Sequence, residues 1–289
     1  MHRIAIIGST GMLGQPVTKA FIEQGFEVSL LVRNSRKARN IFGSAVRIIE
    51  GNIKNGDSIK ELLHKGQDAL YLNLSVTSQS RKKDFQPERE GLQTILAVAK
   101  RSSVSHIGYL SSLVHFYQGH NGFNWWVFEI KEKAVQSIKE SGLSYSIFYP
   151  STFMESFDKG AYRQGNRINL AGNSLFPMYL IAGKDYARQV VKAFTINNGS
   201  QDYIVQGLEG FTADEAARIV AANYLKGKLY ILKLPMRVLR FLGKFSNTLN
   251  YGANIIEALN QYPEKFGAQK TWNLLGKPEI TLAEYARNS

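Results

Sequence analysis

The chain contains no cysteine, so disulfides, thiolate metal sites and cysteine nucleophiles are excluded. No apolar run approaches the roughly 20 residues that a membrane-spanning helix needs. No leader-like segment precedes the first apolar run, and the expectation is a cytoplasmic protein. The five histidines are scattered without metal-ligand spacing, so no metal is expected. Acidic residues are in short supply: 36 Lys and Arg face 23 Asp and Glu, a formal net charge of +13 at pH 7. That balance favours anionic ligands, nucleic acid or an anionic membrane surface. No helix-turn-helix, zinc finger or aromatic-basic RNA signature accompanies it, so nucleic acid is not an expected partner.

What is present begins near the N-terminus. Ile4 to Ile7 is an apolar run that reads as a strand buried on both faces. It stops at Gly8, and a helical pattern starts at Met12 and Leu13. Glycines fall at 8, 11 and 14. Gly8 permits a sharp turn off the strand, Gly11 lets a phosphate approach the backbone, and Gly14 lets the helix pack close to the sheet. The unpaired N–H groups and positive dipole end of that helix suit a pyrophosphate. The helix ends at Gly25, a suitable C′ residue, and a second strand follows from Glu27 to Val32. Strand, glycine turn, helix and strand in that order point to dinucleotide binding. The loop residues expected at the cofactor are Gly8, Ser9, Thr10, Gly11, Met12, Leu13 and Gly14.

About 20 residues past the glycines, NAD-binding versions of this arrangement place an acid on the ribose 2′-hydroxyl. Here that position is Arg33, followed by Arg36 and Lys37. A guanidinium attracts a 2′-phosphate that an acid would repel. The expected cofactor is therefore NADP(H), with NAD(H) second.

Further strands are expected over Val46 to Glu50, Ala69 to Asn73, His106 to Leu110, Tyr145 to Tyr149 and Tyr203 to Gln206. Helices are expected over Asp57 to His64, Pro87 to Arg101, Trp125 to Glu140 and Asp185 to Thr195. Asn52, Ile53 and Leu74 then fall at the carboxyl edge of the sheet, beside the cofactor. Thr77 to Phe85 is polar and reads as a flexible loop. Strand–helix alternation of this kind implies a doubly wound parallel sheet of the α/β Rossmann class. Ser151 to Leu180 and Phe211 onward read as mostly helical, with short extended pieces, forming a smaller substrate lobe. The expected division is 1–155 plus about 181–207 for the nucleotide domain. The smaller lobe takes about 156–180 plus 208–289.

The chain resembles the NmrA-like branch of the atypical short-chain dehydrogenase/reductase superfamily. The matching residues are the Gly8 to Gly14 loop, Arg33, Gly51-Asn52, Ser111-Ser112, Lys131, Glu140-Ser-Gly-Leu143 and Pro150-Ser-Thr-Phe-Met-Glu155. The resemblance covers the chain to about residue 225. It implies that Lys131 hydrogen-bonds the nicotinamide ribose, and the cofactor set is completed by Tyr149 and Phe153. The superfamily's Tyr-x-x-x-Lys pair is broken: Val127 stands at the tyrosine position, and valine cannot donate a proton. Asn52 replaces the aspartate that the family usually has near the adenine.

Lys131 and Ser111 are the remaining candidates for catalysis, as proton donor and as partner of a substrate carbonyl. His115, Tyr117 and His120 lie in the loop after strand five, as possible substitutes for the missing acid. Hydride transfer to a quinone or similar acceptor survives loss of the tyrosine most easily, since it needs mainly stacking and exclusion of water; the expected activity is reduction of a small quinone or carbonyl acceptor. Phe116, Tyr117, Phe123, Trp125, Trp126, Tyr149 and Phe153 offer an aromatic lining, although ordinary core packing is expected for more than half. The alternative is a non-catalytic dinucleotide sensor or assembly factor with a protein partner, as NmrA itself is. The basic, amphipathic stretch Leu234 to Phe245 reads either as a surface helix touching anionic lipid or as a lobe helix with its Leu and Phe side packed inward. Inward packing is the preferred expectation.

Overall fold

The computed structural model describes residues 1–289. Its main sheet has seven parallel strands: β1 Arg3–Ile7, β2 Glu27–Val32, β3 Val46–Glu50, β4 Ala69–Leu72, β5 His106–Leu110, β6 Ser144–Pro150 and β9 Gln201–Val205. They lie in the order β3-β2-β1-β4-β5-β6-β9. The strand order therefore reverses between β1 and β4, which opens a crevice at their carboxyl ends.

The side-chain alternation of β1 shows why helices must cover both faces. Ile4 and Ile6 enter one core with Val17 and Phe21 of α1 (Gly14–Glu23) and with Phe194 of α6 (Gly183–Ile196). Ala5 and Ile7 enter the other, with Leu62 of α3 (Gly56–Leu63), Ile95 of α4 (Leu92–Ala99) and Ala134 of α5 (Trp126–Lys139). A strand apolar at every position is stable only when both faces are covered.

Helix α1 starts at Gly14, two residues later than its apolar pattern suggests. It stops in a Schellman turn: Phe26 N–H bonds Phe21 C=O and Gly25 N–H bonds Ile22 C=O. Gly25 takes φ +83° there, which a side chain would resist. The expected long helix after β4 opens with a wider π turn over Pro87–Gly91 before α4.

Three expectations need correction. The Thr77 to Phe85 segment is tied down: Arg89 donates to the carbonyls of Lys82 and Asp84, and Gln86 to that of Arg81. A polar composition hid these backbone anchors. Ser151 to Leu180 is not mostly helical. It contributes β7 (Arg163–Gln164) and β8 (Arg167–Ala171), which join β10 (Tyr230–Leu234) in a three-stranded sheet. Strands this short give little periodicity to read.

The third correction concerns α8 (Met236–Gly243). It buries only Leu239 and Gly243, while Phe241 and Phe245 stand 58% and 77% exposed. Leu239 packs inward with Ala171 and Ala253, but the Phe side does not.

Helix α2 (Ser35–Phe42) joins β2 to β3, and behind these elements come α7 (Ala213–Asn223), α9 (Asn247–Gln261), α10 (Gln269–Leu275) and α11 (Leu282–Asn288). Helices α7 and α11 each open with a complete capping box, on Thr212 and Thr281. Helix α10, expected in the smaller lobe, instead packs against α6 and β9 of the large sheet. Gln206 fixes this return by bonding Glu264, the Lys265 carbonyl and the Gly267 N–H.

Candidate functional site: the cleft over the glycine turn

The crevice at the β1/β4 reversal is a cleft of about 680 Å³. Its floor is Gly8 to Leu13, its sides are the ends of β2 and β3, and its rim includes Asn73 to Ser75, Thr77, Ser80 and Phe85. The anchored loop after β4 thus forms one wall.

The three glycines do different work. A Cβ on Gly8 would sit 2.1 Å from the Asn73 carbonyl oxygen, and Gly8 takes φ +90°. A Cβ on Gly14 would sit 2.0 Å from the Gly8 carbonyl oxygen. Both glycines are required for the strand, turn and helix to pack. At Gly11 the nearest protein atom to such a Cβ is 3.4 Å away, an ordinary contact, so a side chain there would project into the cleft. Gly11 leaves room for something other than protein.

Beside this cradle, the Ser9 hydroxyl is fully buried and has no hydrogen-bond partner. A buried polar atom left over in this way fits an absent ligand. A dinucleotide phosphate matches both features: it accepts from a hydroxyl and needs close backbone approach at a helix start.

Electrostatics point the same way. Arg33, Lys37 and Lys54 line the cleft, and no Asp or Glu does. None of the three cations is engaged in an ion pair. Lys54 escapes sequence reading because it lies past β3, outside the usual position for a ribose contact. It sits over the Phe85 ring, 4.8 Å from the centroid. Arg36 does not reach the cleft. Asn52 lines it, with its side-chain oxygen accepting from Lys54 N–H. Ile53 and Leu74 line it too.

Gly14, Ser111, Lys131, Tyr149 and Phe153 do not line this cleft. Phe153 packs edge-on against Tyr186 in the first core. Tyr149 is buried in the second, with Phe116 stacked on it at 5.2 Å. Tyr117, Phe123 and Trp125 are buried in a small cluster with Val127 and Phe128. Core packing thus accounts for most of the expected aromatic lining, and Phe116 is the one exposed ring of that set.

Lys131 sits just behind the cleft wall. Its ammonium donates to Glu88 Oε1 at 2.6 Å, and their side chains are 13% and 1% exposed. The Tyr109 hydroxyl donates to the same oxygen. Glu88 Oε2 is buried without a partner. Glu88 follows Pro87, which lines the cleft, and the π turn aims the carboxylate inward. Sequence reading misses Glu88 because Pro-Glu-Arg-Glu looks like the solvated first turn of a helix. Burial and the Glu88 charge push the Tyr251 hydroxyl, brought in by α9, up to about 12. The Tyr109 hydroxyl is pushed well above its ordinary value by burial, with Glu88 adding to it.

At the end of β5, the Ser111 hydroxyl is buried with no partner. His115 follows, its Nδ1 against the Ser112 carbonyl; a carbonyl only accepts, so that nitrogen carries the proton. Burial holds His115 down to about 4, with Lys131 adding to the effect. A charged-imidazolium acid at His115 is therefore unavailable at neutral pH.

His106, at the far end of β5, is also held to about 4 by burial. Both groups bind protons in the unfolded chain near 6.5 and in the folded chain only near 4. Their contribution is full above pH 6.5 and is lost as pH falls toward 4. At pH 5 the loss is about 2 kcal/mol each. Urea unfolding of wild type and His106→Leu at pH 7 and pH 5 measures it. An unchanged pH dependence in the variant would show that His106 charges freely in the folded state.

Comparison with known proteins bears on the family and the fold. A family model described as NAD(P)H-binding matches residues 8–196, from the glycine turn through the helix that packs behind it. A photosystem II assembly factor of Guillardia theta is 23% identical over 264 residues, covering 89% of this chain and 81% of that protein. A nucleoside-diphosphate-sugar epimerase of Staphylococcus aureus superposes with a TM-score of 0.77 at 18% identity, over 99% of both chains. A quinone oxidoreductase of Escherichia coli, solved with NADPH, gives the same TM-score, identity and coverage. Epimerase and reductase share this backbone, so structural likeness at such identity shows the fold and not the reaction. The match over residues 8–196, more than half of the chain, shows that the protein belongs to the NAD(P)H-binding family.

Proposed function

We propose that the protein is an NADP(H)-dependent reductase that passes hydride to a small quinone or carbonyl acceptor. The observation that carries the cofactor choice is a cleft with Arg33, Lys37 and Lys54 on its lining and no carboxylate. A 2′-phosphate adds two negative charges that such a cleft attracts and an acid would repel. The bound dinucleotide supplies the hydride. The chain binds the pyrophosphate over Gly11, holds the 2′-phosphate at Arg33 with Lys37 and Lys54, and presents Lys131 to the nicotinamide ribose.

Ser111 is the group proposed to bond the acceptor oxygen, because its hydroxyl is buried and unpartnered at the carboxyl end of β5. Phe116, stacked on Tyr149, offers an exposed ring in the loop after β5. The smaller lobe, about 156–180 plus 208–289 with α10 returned to the large sheet, is proposed to close over this end. NADPH oxidation followed across a panel of quinones and aldehydes tests the reading. No turnover above background across the panel would count against it.

For Arg33→Asp, calorimetric titration should show NADP(H) affinity at least about tenfold weaker, with preference moving toward NAD(H). Unchanged NADP(H) affinity would remove Arg33 from the site.

A second reading has one observation of its own. The family resemblance puts Val127 at the position of the proton-donating tyrosine, and Val127 is packed into an apolar cluster with Trp125 and Phe128. A relative named as an assembly factor makes a non-catalytic, dinucleotide-dependent partner protein the alternative. A pull-down with and without NADP(H) separates the two: a partner captured only with cofactor, and no turnover, favours the second.

A further inference from the structure

Ten of the fifteen large apolar side chains left exposed on the molecule lie between Leu225 and Leu249. Scattered exposure is normal, but concentration in one stretch marks a surface made for contact. The stretch comprises β10, an edge strand with every residue exposed, followed directly by α8. On α8 and the two residues that follow it, Arg237, Val238, Phe241, Lys244 and Phe245 recur at helical spacing. Phe241 and Phe245 pack edge to face at 5.5 Å, so the two rings stand together.

Charge identifies what this face suits. No Asp or Glu occurs from 216 to 256. Lys233 and Arg240 are paired with Asp214 and Glu257. Lys226, Lys228, Arg237 and Lys244 are exposed and have no ion-pair partner. A second copy of the chain would set these free cations against their own kind. An anionic bilayer offers both things the face needs: acyl chains for the phenylalanines and negative headgroups for the cations.

We propose that β10 and α8 dock the protein onto an anionic membrane surface, with Phe241 and Phe245 inserted at the headgroup boundary. The membrane is touched and not crossed, since no helix is long and apolar enough to span it. The proposal does not depend on which reaction, if any, the cleft supports.

Co-sedimentation of the full chain with phosphatidylcholine vesicles, with and without phosphatidylglycerol, tests it. Wild type should pellet with the phosphatidylglycerol vesicles only, and raised salt should release it. The pairs Phe241→Ser/Phe245→Ser and Arg237→Glu/Lys244→Glu should each weaken binding at least about tenfold. NADPH titration and thermal unfolding of the same variants should match wild type, because these exposed side chains lie outside the cleft. Three results overturn the proposal. They are no binding to either vesicle, as an acidic protein partner would give; equal binding of wild type and variants; or a dimer in sedimentation velocity that the same substitutions dissolve.

Discussion

Gly11→Val is expected to weaken NADPH binding at least about a hundredfold while leaving folding stability within about 0.5 kcal/mol. Gly8→Val and Gly14→Val are expected to lose binding and stability together. The distinction follows from where each added atom would go. At Gly11 a Cβ meets no protein atom closer than 3.4 Å, and the backbone there is not in the left-handed region. The folded chain accepts the side chain, and the phosphate does not. At Gly8 the added atom meets a backbone carbonyl at 2.1 Å, in a conformation with φ +90°. Clash and strain together cost roughly 3–6 kcal/mol. At Gly14 the obstacle is again backbone, 2.0 Å away, and the start of α1 must move. Calorimetric titration with NADPH and urea unfolding on the three variants read the two quantities separately. Retained NADPH affinity in Gly11→Val would mean that this turn is not the cradle.

Much of this was legible in residue order. Each of the seven strands of the large sheet is short and has an apolar centre, and sequence places their ends within two residues. The glycine turn and Arg33 were visible because their spacing from the first strand is fixed by the geometry of one crossover. What escaped was whatever depends on residues distant in sequence. Lys54 reaches the cleft only because β3 lies beside β2. Glu88 is buried only because α5 and Tyr109 close over it, and no local pattern distinguishes it from Glu90 two residues on. Helix α8 has the amphipathic pattern of an inward-packed helix, and sequence periodicity cannot say whether an apolar stripe finds a partner within the same chain.

Lys131→Met is expected to cost about 3–5 kcal/mol of stability, the usual penalty for stripping the partner from a buried charge. The Glu88 side chain is 1% exposed and its Oε2 already has no partner, so water cannot replace the ammonium. Glu88→Gln should cost far less. The amide oxygen still accepts from Tyr109, and the less buried Lys131 can turn toward solvent. In the double variant Lys131→Met/Glu88→Gln, no buried charge remains, and most of the lost stability should return. Urea unfolding of all four proteins gives the coupling energy directly. The same cycle decides what else Lys131 does. Glu88 takes one of its three N–H donors, leaving two for the ribose. If Lys131 acts on the cofactor, the double variant regains stability but not NADPH affinity or turnover. If both return with stability, Lys131 is a structural cation whose task is to neutralise Glu88, and the resemblance to the superfamily's lysine ends at its position.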